Sequence, residues 1–212
     1  MLKPYEYIYN LVQTFMKDQV SYALGLSIGN NFKASGIKSV EGADFLEGLQ
    51  DALSENKPQL TYAQAQELLH RFFEKLQGEE AEINRKAGDE YRKILQNKAG
   101  VTTLENGIQY EVLRTGTGAK PTAKDTVRVH YHGTLINGTV FDSSVERGEP
   151  AEFPLQGVIS GWTYILQQMP VGSKWRVVLP PQMAYGERGA GSSIRPNMTL
   201  IFEIDLLDIV HK

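Results

Sequence analysis

The sequence predicts an α+β protein: an all-α N-terminal region with a long connecting helix, then antiparallel strands around one short helix. Two observations carry this prediction. Up to about Asn97 apolar residues recur at the i, i+3, i+4 spacing of one helix face. From Ile108 onward the period becomes two, with turn-rich stretches between the apolar runs.

Taken in order, Ile8, Leu11, Val12, Phe15 and Met16 fit a short amphipathic helix over 5–16. Glu6, Asn10 and Gln13 interrupt the uninterrupted apolar core that a secretory signal needs. The stretch therefore does not read as a signal peptide, although the remnant of a processed precursor stays open. A second helix is expected over 19–35, where Gly25 and Gly29 form a small-residue groove. Glycine costs about 1 kcal/mol against alanine inside a helix, so two of them point to close approach by another helix. A third helix over 41–53 carries Phe45, Leu46, Leu49 and Leu53 on one side.

Thr61 and Gln64 read as a capping box that opens a proline-free run to Asn97. Such a helix would be about 55 Å long. Its early face is apolar, with Leu68, Leu69, Phe72, Phe73 and Leu76, whereas Gln77 to Gly88 is too polar for burial. The expected organisation is a helical domain over 1–60, a linker helix over 61–98 whose first half packs with that domain, and a second domain over 99–212. Three short helices make a thin core, and pairing with a second copy would complete it. A monomeric solvated rod is the other reading of so charged a helix.

In the second domain, Ile108 to Arg114 alternates as a strand, and 115–121 is turn-rich. Along Val129-His130-Tyr131-His132, Tyr131 faces one side and both histidines the other. Asn137-Gly138 signals a hairpin whose return strand ends in Phe141-Asp142. Gly161-Trp162 opens a short helix, Tyr185-Gly186 opens a glycine-rich loop, and Thr199 to Leu207 is a last strand. Tyr131, Phe141, Trp162, Tyr185 and Phe202 thus come from five elements, and aromatics from so many elements converge in a core or a pocket.

Composition narrows the function. Net charge is −3, from 22 basic and 25 acidic residues, and neither half of the chain is a polycation, so nucleic acid is not an expected partner. The absence of cysteine excludes disulfide and thiol chemistry. Apolar runs are too short for a membrane span. His130 and His132 share a face at metal-ligating spacing, but no further ligand lies near in sequence, so packed histidines are the expectation. The Gly186, Gly189, Gly191 loop resembles a phosphate cradle only superficially, because no helix follows.

The motifs VHYHGTLINGTVFDSS, VISGW, MPVGSKW, MAYGERGAG and TLIFEIDLL, in this order over about 107–210, resemble the FKBP family of peptidyl-prolyl isomerases. With the helical region included, the chain looks like the bacterial subgroup typified by the macrophage infectivity potentiator. The resemblance implies a twisted antiparallel sheet wrapped across the short helix, and intertwined helical dimers. It also implies a proline pocket. Trp162 would be its floor, Tyr131, Phe141 and Phe202 its walls, and Val158 and Ile159 its side. The Ile159 amide and Tyr185 hydroxyl would donate to substrate carbonyls, with Asp142 near the twisting amide and Ile194 capping the loop. Rapamycin-type macrolides bind this pocket in the family.

Two departures stand out. Ala151 occupies a position that is aromatic in some relatives and should widen that wall. Arg195 replaces a proline and adds a charge at the rim. Asp142, followed by two serines, reads by itself as the start of a turn, and it could instead hold Tyr131 in place.

The chemistry fits these residues. An X–Pro bond prefers trans by only about 0.5–1 kcal/mol yet rotates over about 18–20 kcal/mol, because conjugation must break. Catalysis needs no nucleophile, metal or cofactor, only a site that favours the twisted amide. The expected activity is prolyl isomerisation in proline-containing unfolded or partly folded proteins, with the helical dimer as chaperone. A proline-segment binding module and a chaperone with incidental turnover are the alternatives. Without a visible signal, the cytoplasm is the expected compartment, or the periplasm or beyond if Met1 is not the native start.

Overall fold

The computed structural model describes residues 18–54 and 57–210, so the helix expected over 5–16 lies outside the described residues. The chain divides into two compact units, 1–71 and 72–212.

In the first unit, α1 runs Gln19–Ala34 and α2 Gly42–Ser54. The Asp18 carboxylate starts α1 by accepting the Val20 and Ser21 amides at 3.0 and 3.2 Å. The two helices touch edge to face through Phe32 and Phe45, 5.5 Å between ring centres, yet neither contains a buried residue. A Cβ placed on Gly25 or Gly29 would meet nothing within 4 Å, so the small-residue groove has no occupant among the described residues. Leu24, Leu46, Leu53, Leu68 and Leu69 all stand exposed.

Helix α3, Tyr62–Leu95, contains the boundary between the units. Its 34 residues make it about 51 Å long. The capping box forms as expected: Thr61 Oγ1 accepts the Gln64 amide at 3.3 Å, and Gln64 Oε1 accepts the Thr61 amide at 3.0 Å. The polar middle of the helix is not wholly solvated. Glu80, Ala81 and Asn84 are half-buried and Gly88 is buried, and Tyr91, Arg92 and Leu95 continue the stripe. Spacings of three and four keep these residues on one face, which meets Pro196 and Thr199 within the same, second unit.

That second unit is built on a seven-stranded antiparallel sheet: β1 (Val101–Thr103), β2 (Gln109–Arg114), β3 (Thr126–Leu135), β4 (Val140–Ser143), β5 (Ala151–Pro154), β6 (Lys174–Leu179) and β7 (Leu200–Val210). Six follow the order β1-β2-β6-β7-β3-β4, and β5 pairs with the start of β3. One edge of β3 therefore pairs with β7 throughout, while the other takes β5 at Thr126–Val129 and β4 at His132–Thr134. A turn at Asn137-Gly138, with Gly138 at φ 85°, joins β3 to β4. One turn of helix, α4 (Ser144–Arg147), follows β4, and α5 (Ser160–Leu166) lies on the sheet.

Alternation places Val127, Val129, Tyr131 and Leu135 of β3 and Leu200, Phe202, Ile204 and Leu206 of β7 on the covered face. Trp162, Ile165 and Leu166 of α5 fill the same core. Gly161 is required there, since a Cβ would come within 2.7 Å of the Leu179 side chain and the Met183 carbonyl. Leu166 is fully buried, so Leu166→Ala should lower unfolding free energy by about 2–5 kcal/mol, read as a lower urea midpoint at unchanged slope.

Candidate functional site

Four strands and two loops aim side chains at one apolar cavity of about 290 Å³, beside the start of α5. It is lined by Tyr131, Phe141, Asp142, Phe153, Gly157, Val158, Ile159, Trp162, Tyr185 and Phe202. Trp162, in the first turn of α5, sits beneath three ring edges. Tyr131, Phe153 and Phe202 approach it at 5.3, 5.6 and 5.3 Å, at interplanar angles of 85°, 89° and 79°. Phe141 completes the wall by meeting Phe202 at 5.5 Å and 86°. Edge-to-face contacts of this kind add about 0.5–1.5 kcal/mol each beyond area burial, so the rings hold one another's orientation.

One polar cluster enters this apolar wall. The Tyr131 hydroxyl donates to Asp142 Oδ2 at 2.5 Å, and Arg147 Nη2 donates to the same hydroxyl at 2.9 Å. Arg147 Nη1 also donates to Asp142 Oδ1, and its guanidinium lies 5.6 Å from the Tyr131 ring centre. Burial pushes the Asp142 carboxyl up. Hydrogen bonds from Tyr131 and Arg147 and the Arg147 charge outweigh that, holding it below its ordinary value. The Tyr131 phenol is raised, first by burial and then by its bond to Asp142. Both carboxylate oxygens of Asp142 are thus engaged, as the reading of Asp142 as a holder of Tyr131 requires.

Two donors remain uncommitted at the cavity. Ile159 precedes α5 with φ −57° and ψ 147°, and among the described residues no acceptor takes its amide. Tyr185, 40% exposed, lines the cavity with no protein acceptor for its hydroxyl among the described residues.

Of the residues singled out in the sequence, Tyr131, Phe141, Asp142, Val158, Ile159, Trp162, Tyr185 and Phe202 come together here. Ala151, Ile194 and Arg195 do not line the cavity. Ala151 pairs with Val129 at the start of β5, and two residues on, Phe153 supplies the aromatic from the same face. Ile194 is buried in the core and bridges Ala190 through two backbone hydrogen bonds of 2.8 and 3.2 Å. Arg195 carries its Nε to 3.8 Å from Glu80 of α3, so its charge is met by a carboxylate of the chain itself. Sequence reading missed Phe153 and Arg147. The Ala151-Glu152-Phe153 alternation was the available signal for the first, whereas Arg147, on a helix of four residues, offered no periodic signal. His130 and His132 lie on the opposite sheet face, with Ser144 and Ser143 hydroxyls 3.1 and 3.0 Å from their Nδ1 atoms.

The second unit is thus a sheet wrapped on one helix, with an aromatic well at the helix start. The family comparison agrees. Residues 117–207 match the model for FKBP-type peptidyl-prolyl cis-trans isomerase, and residues 17–112 match the domain amino terminal to FKBP-type peptidyl-prolyl isomerase. The chain belongs to this family of isomerases. It is 44% identical to the FKBP-type 22 kDa peptidyl-prolyl cis-trans isomerase of Escherichia coli over 91% of this chain and 95% of that protein. It is also 44% identical to the Outer membrane protein MIP of Legionella longbeachae, over 91% of this chain and 85% of that protein. The crystal structure of FkpA from Escherichia coli superposes with a TM-score of 0.69 at 35% identity, covering 91% of this chain and 97% of that one.

One expectation is overturned by these relatives. The cytoplasmic compartment does not stand, because a protein 44% identical over 91% of this chain is named as an outer membrane protein. Compartment is set by address segments, and the composition of a folded domain does not encode it.

The depressed Asp142 carboxyl fixes the sign of a pH effect. Its contribution is fully present above the ordinary value of 3.8 and is lost as pH falls through the lower folded value. Isomerase activity should therefore show no Asp142-linked loss between neutrality and about pH 4 and should fall below that. Arg147→Ala should move this fall to higher pH, read from the pH profile of kcat/KM.

Proposed function

We propose that this isomerase accelerates rotation about X–Pro bonds in unfolded or partly folded proteins by holding the proline ring on Trp162. Tyr131, Phe141, Phe153 and Phe202 form the walls, with Val158 and Ile159 at the side. The observation that carries this is the apolar well itself, whose one polar side is internally satisfied. A planar amide is more polar than a twisted one, because conjugation separates charge along the peptide bond. Removing water from the bond therefore disfavours the planar ground state relative to the twisted transition state. The Ile159 amide and the Tyr185 hydroxyl donate to the substrate carbonyls on either side and hold the chain while the imide turns. Asp142 acts by fixing Tyr131 with Arg147, so its role is to shape the wall. Rapamycin-type macrolides are expected to compete for the well.

We further propose that the N-terminal helices pair with those of a second copy, giving a chaperone with two isomerase domains. The exposed leucines of α1, α2 and early α3 support this, as does the open groove at Gly25 and Gly29. Leu68→Glu with Leu69→Glu should shift the sedimentation coefficient from dimer to monomer.

The test of the isomerase reading is the cis-to-trans rate of a short Leu-Pro peptide with the full chain. Trp162→Leu should lower kcat/KM about tenfold, equivalent to about 1.4 kcal/mol. Asp142→Ala should lower it as well, and rapamycin should inhibit the parent chain. Peptide binding without acceleration would instead make the well a proline-recognition module.

A further inference from the structure

We infer that the second half of α3 is a positioning element of the isomerase site, in which Gly88 and Arg92 seat the helix on Thr199 and Asn84 sets Tyr185 through the Pro196–Asn197 peptide. The contact is close. A Cβ on Gly88 would lie 2.3 Å from Thr199 Oγ1 and 3.1 Å from its Cβ, so the helix backbone itself rests on Thr199. Arg92 Nη1 donates to Thr199 Oγ1 at 2.8 Å, and Asn84 Nδ2 donates to the Pro196 carbonyl at 2.9 Å. Arg92 is oriented in turn by Asp89, which accepts its Nη2 at 2.5 Å.

The route to the well is a single peptide plane. The Pro196 carbonyl and the Asn197 amide belong to one rigid unit, so fixing the first fixes the second. That amide donates to the Gly186 carbonyl at 2.8 Å, and the Gly186 amide donates to Pro181 O at 2.9 Å. Gly186 directly follows Tyr185, whose ring lines the cavity. Asn197 has φ 56°, the one positive φ of a non-glycine among the described residues. A left-handed residue costs about 1–2 kcal/mol and persists only where its surroundings impose it. Here Asn84 holds one side of the plane and Gly186 the other.

This inference rests on the proposed role of Tyr185 as a donor to substrate. The test is a double-mutant cycle on the full-length chain with the Leu-Pro peptide, reading kcat and KM separately. Asn84→Ala should lower kcat about threefold to tenfold, the size of one lost hydrogen bond, with KM changed by less than about twofold. Gly88→Ala, which removes no hydrogen-bonding group, should do the same by lifting the helix from Thr199. In a Tyr185→Phe background neither substitution should lower kcat further, because the group they position is gone. Full kcat in both single variants, or losses that add to that of Tyr185→Phe, would overturn the role of the helix. Tyr185→Phe at full kcat would overturn the role of Tyr185 first, and the route through it falls with that reading.

Discussion

The register of β3 against its neighbours is the constraint from which the well follows. Tyr131 faces Ile204, and Gly133 faces Phe202 on one side and Asp142 on the other. This pairing puts Tyr131, Phe202 and Asp142 within reach of one another although they are far apart in sequence. Side chains alternate along a strand, so slipping β3 by one residue would turn Tyr131 outward and His130 or His132 into the core. Both histidines would then need buried partners. Burial of Val127, Val129, Tyr131 and Leu135 on the covered face therefore fixes both the core and the aromatic wall of the well. Gly133 adds to the register by its lack of a side chain: a Cβ there would fall 2.7 Å from Phe141 Cζ, so only glycine lets that ring close the cavity.

An apolar well lined by a tyrosine and a half-exposed aspartate still needs partners for its polar groups, because a partly desolvated carboxylate is costly when unpaired. The solution is local. The helical turn α4 starts at the end of β4, with the Ser143 hydroxyl accepting the Glu146 amide at 3.2 Å, and this turn carries Arg147 back to Asp142 and Tyr131. Three polar groups then satisfy one another, and the ring faces supply the apolar wall. The arrangement also explains why Asp142 needs no proton-transfer role: rotation about an imide bond requires none, and its oxygens are already engaged.

Much of this was legible in the sequence because it is periodic. The period-two runs gave β3, β7 and the inward direction of Tyr131, the Asn137-Gly138 pair gave the hairpin, and Thr61 with Gln64 gave the start of α3. Ala151, Ile194 and Arg195 were less well read because their neighbours come from distant elements. Arg195 looked like a free rim charge until Glu80 of α3 appeared 3.8 Å away. Arg147 sits on a helix of only four residues, too short to show any period. The compartment was misread because that property is not written in the fold.

The polar middle of α3 shows why hydrophobic patterning misses some packed faces. Burial was expected to require apolar residues, and the stripe Glu80, Ala81, Asn84, Gly88, Tyr91 is mostly not apolar. Its packing is helix backbone against side chain: Gly88 lets the helix rest on the Thr199 side chain, close enough for Asn84 and Arg92 to bond the Pro196 carbonyl and Thr199 hydroxyl directly. A face made of directed hydrogen bonds specifies one seating more sharply than an apolar stripe, which tolerates sliding. Specificity of seating matters here because the bonded segment contains a left-handed Asn197, which has a lower-energy alternative as soon as its partners let go. Linkage then makes the effect reciprocal. If seating the helix favours the arrangement of Tyr185 that holds a substrate, a substrate held by Tyr185 must favour the seated helix by the same free energy. The helix that joins the two units is in this sense also a wall of the site, one layer removed.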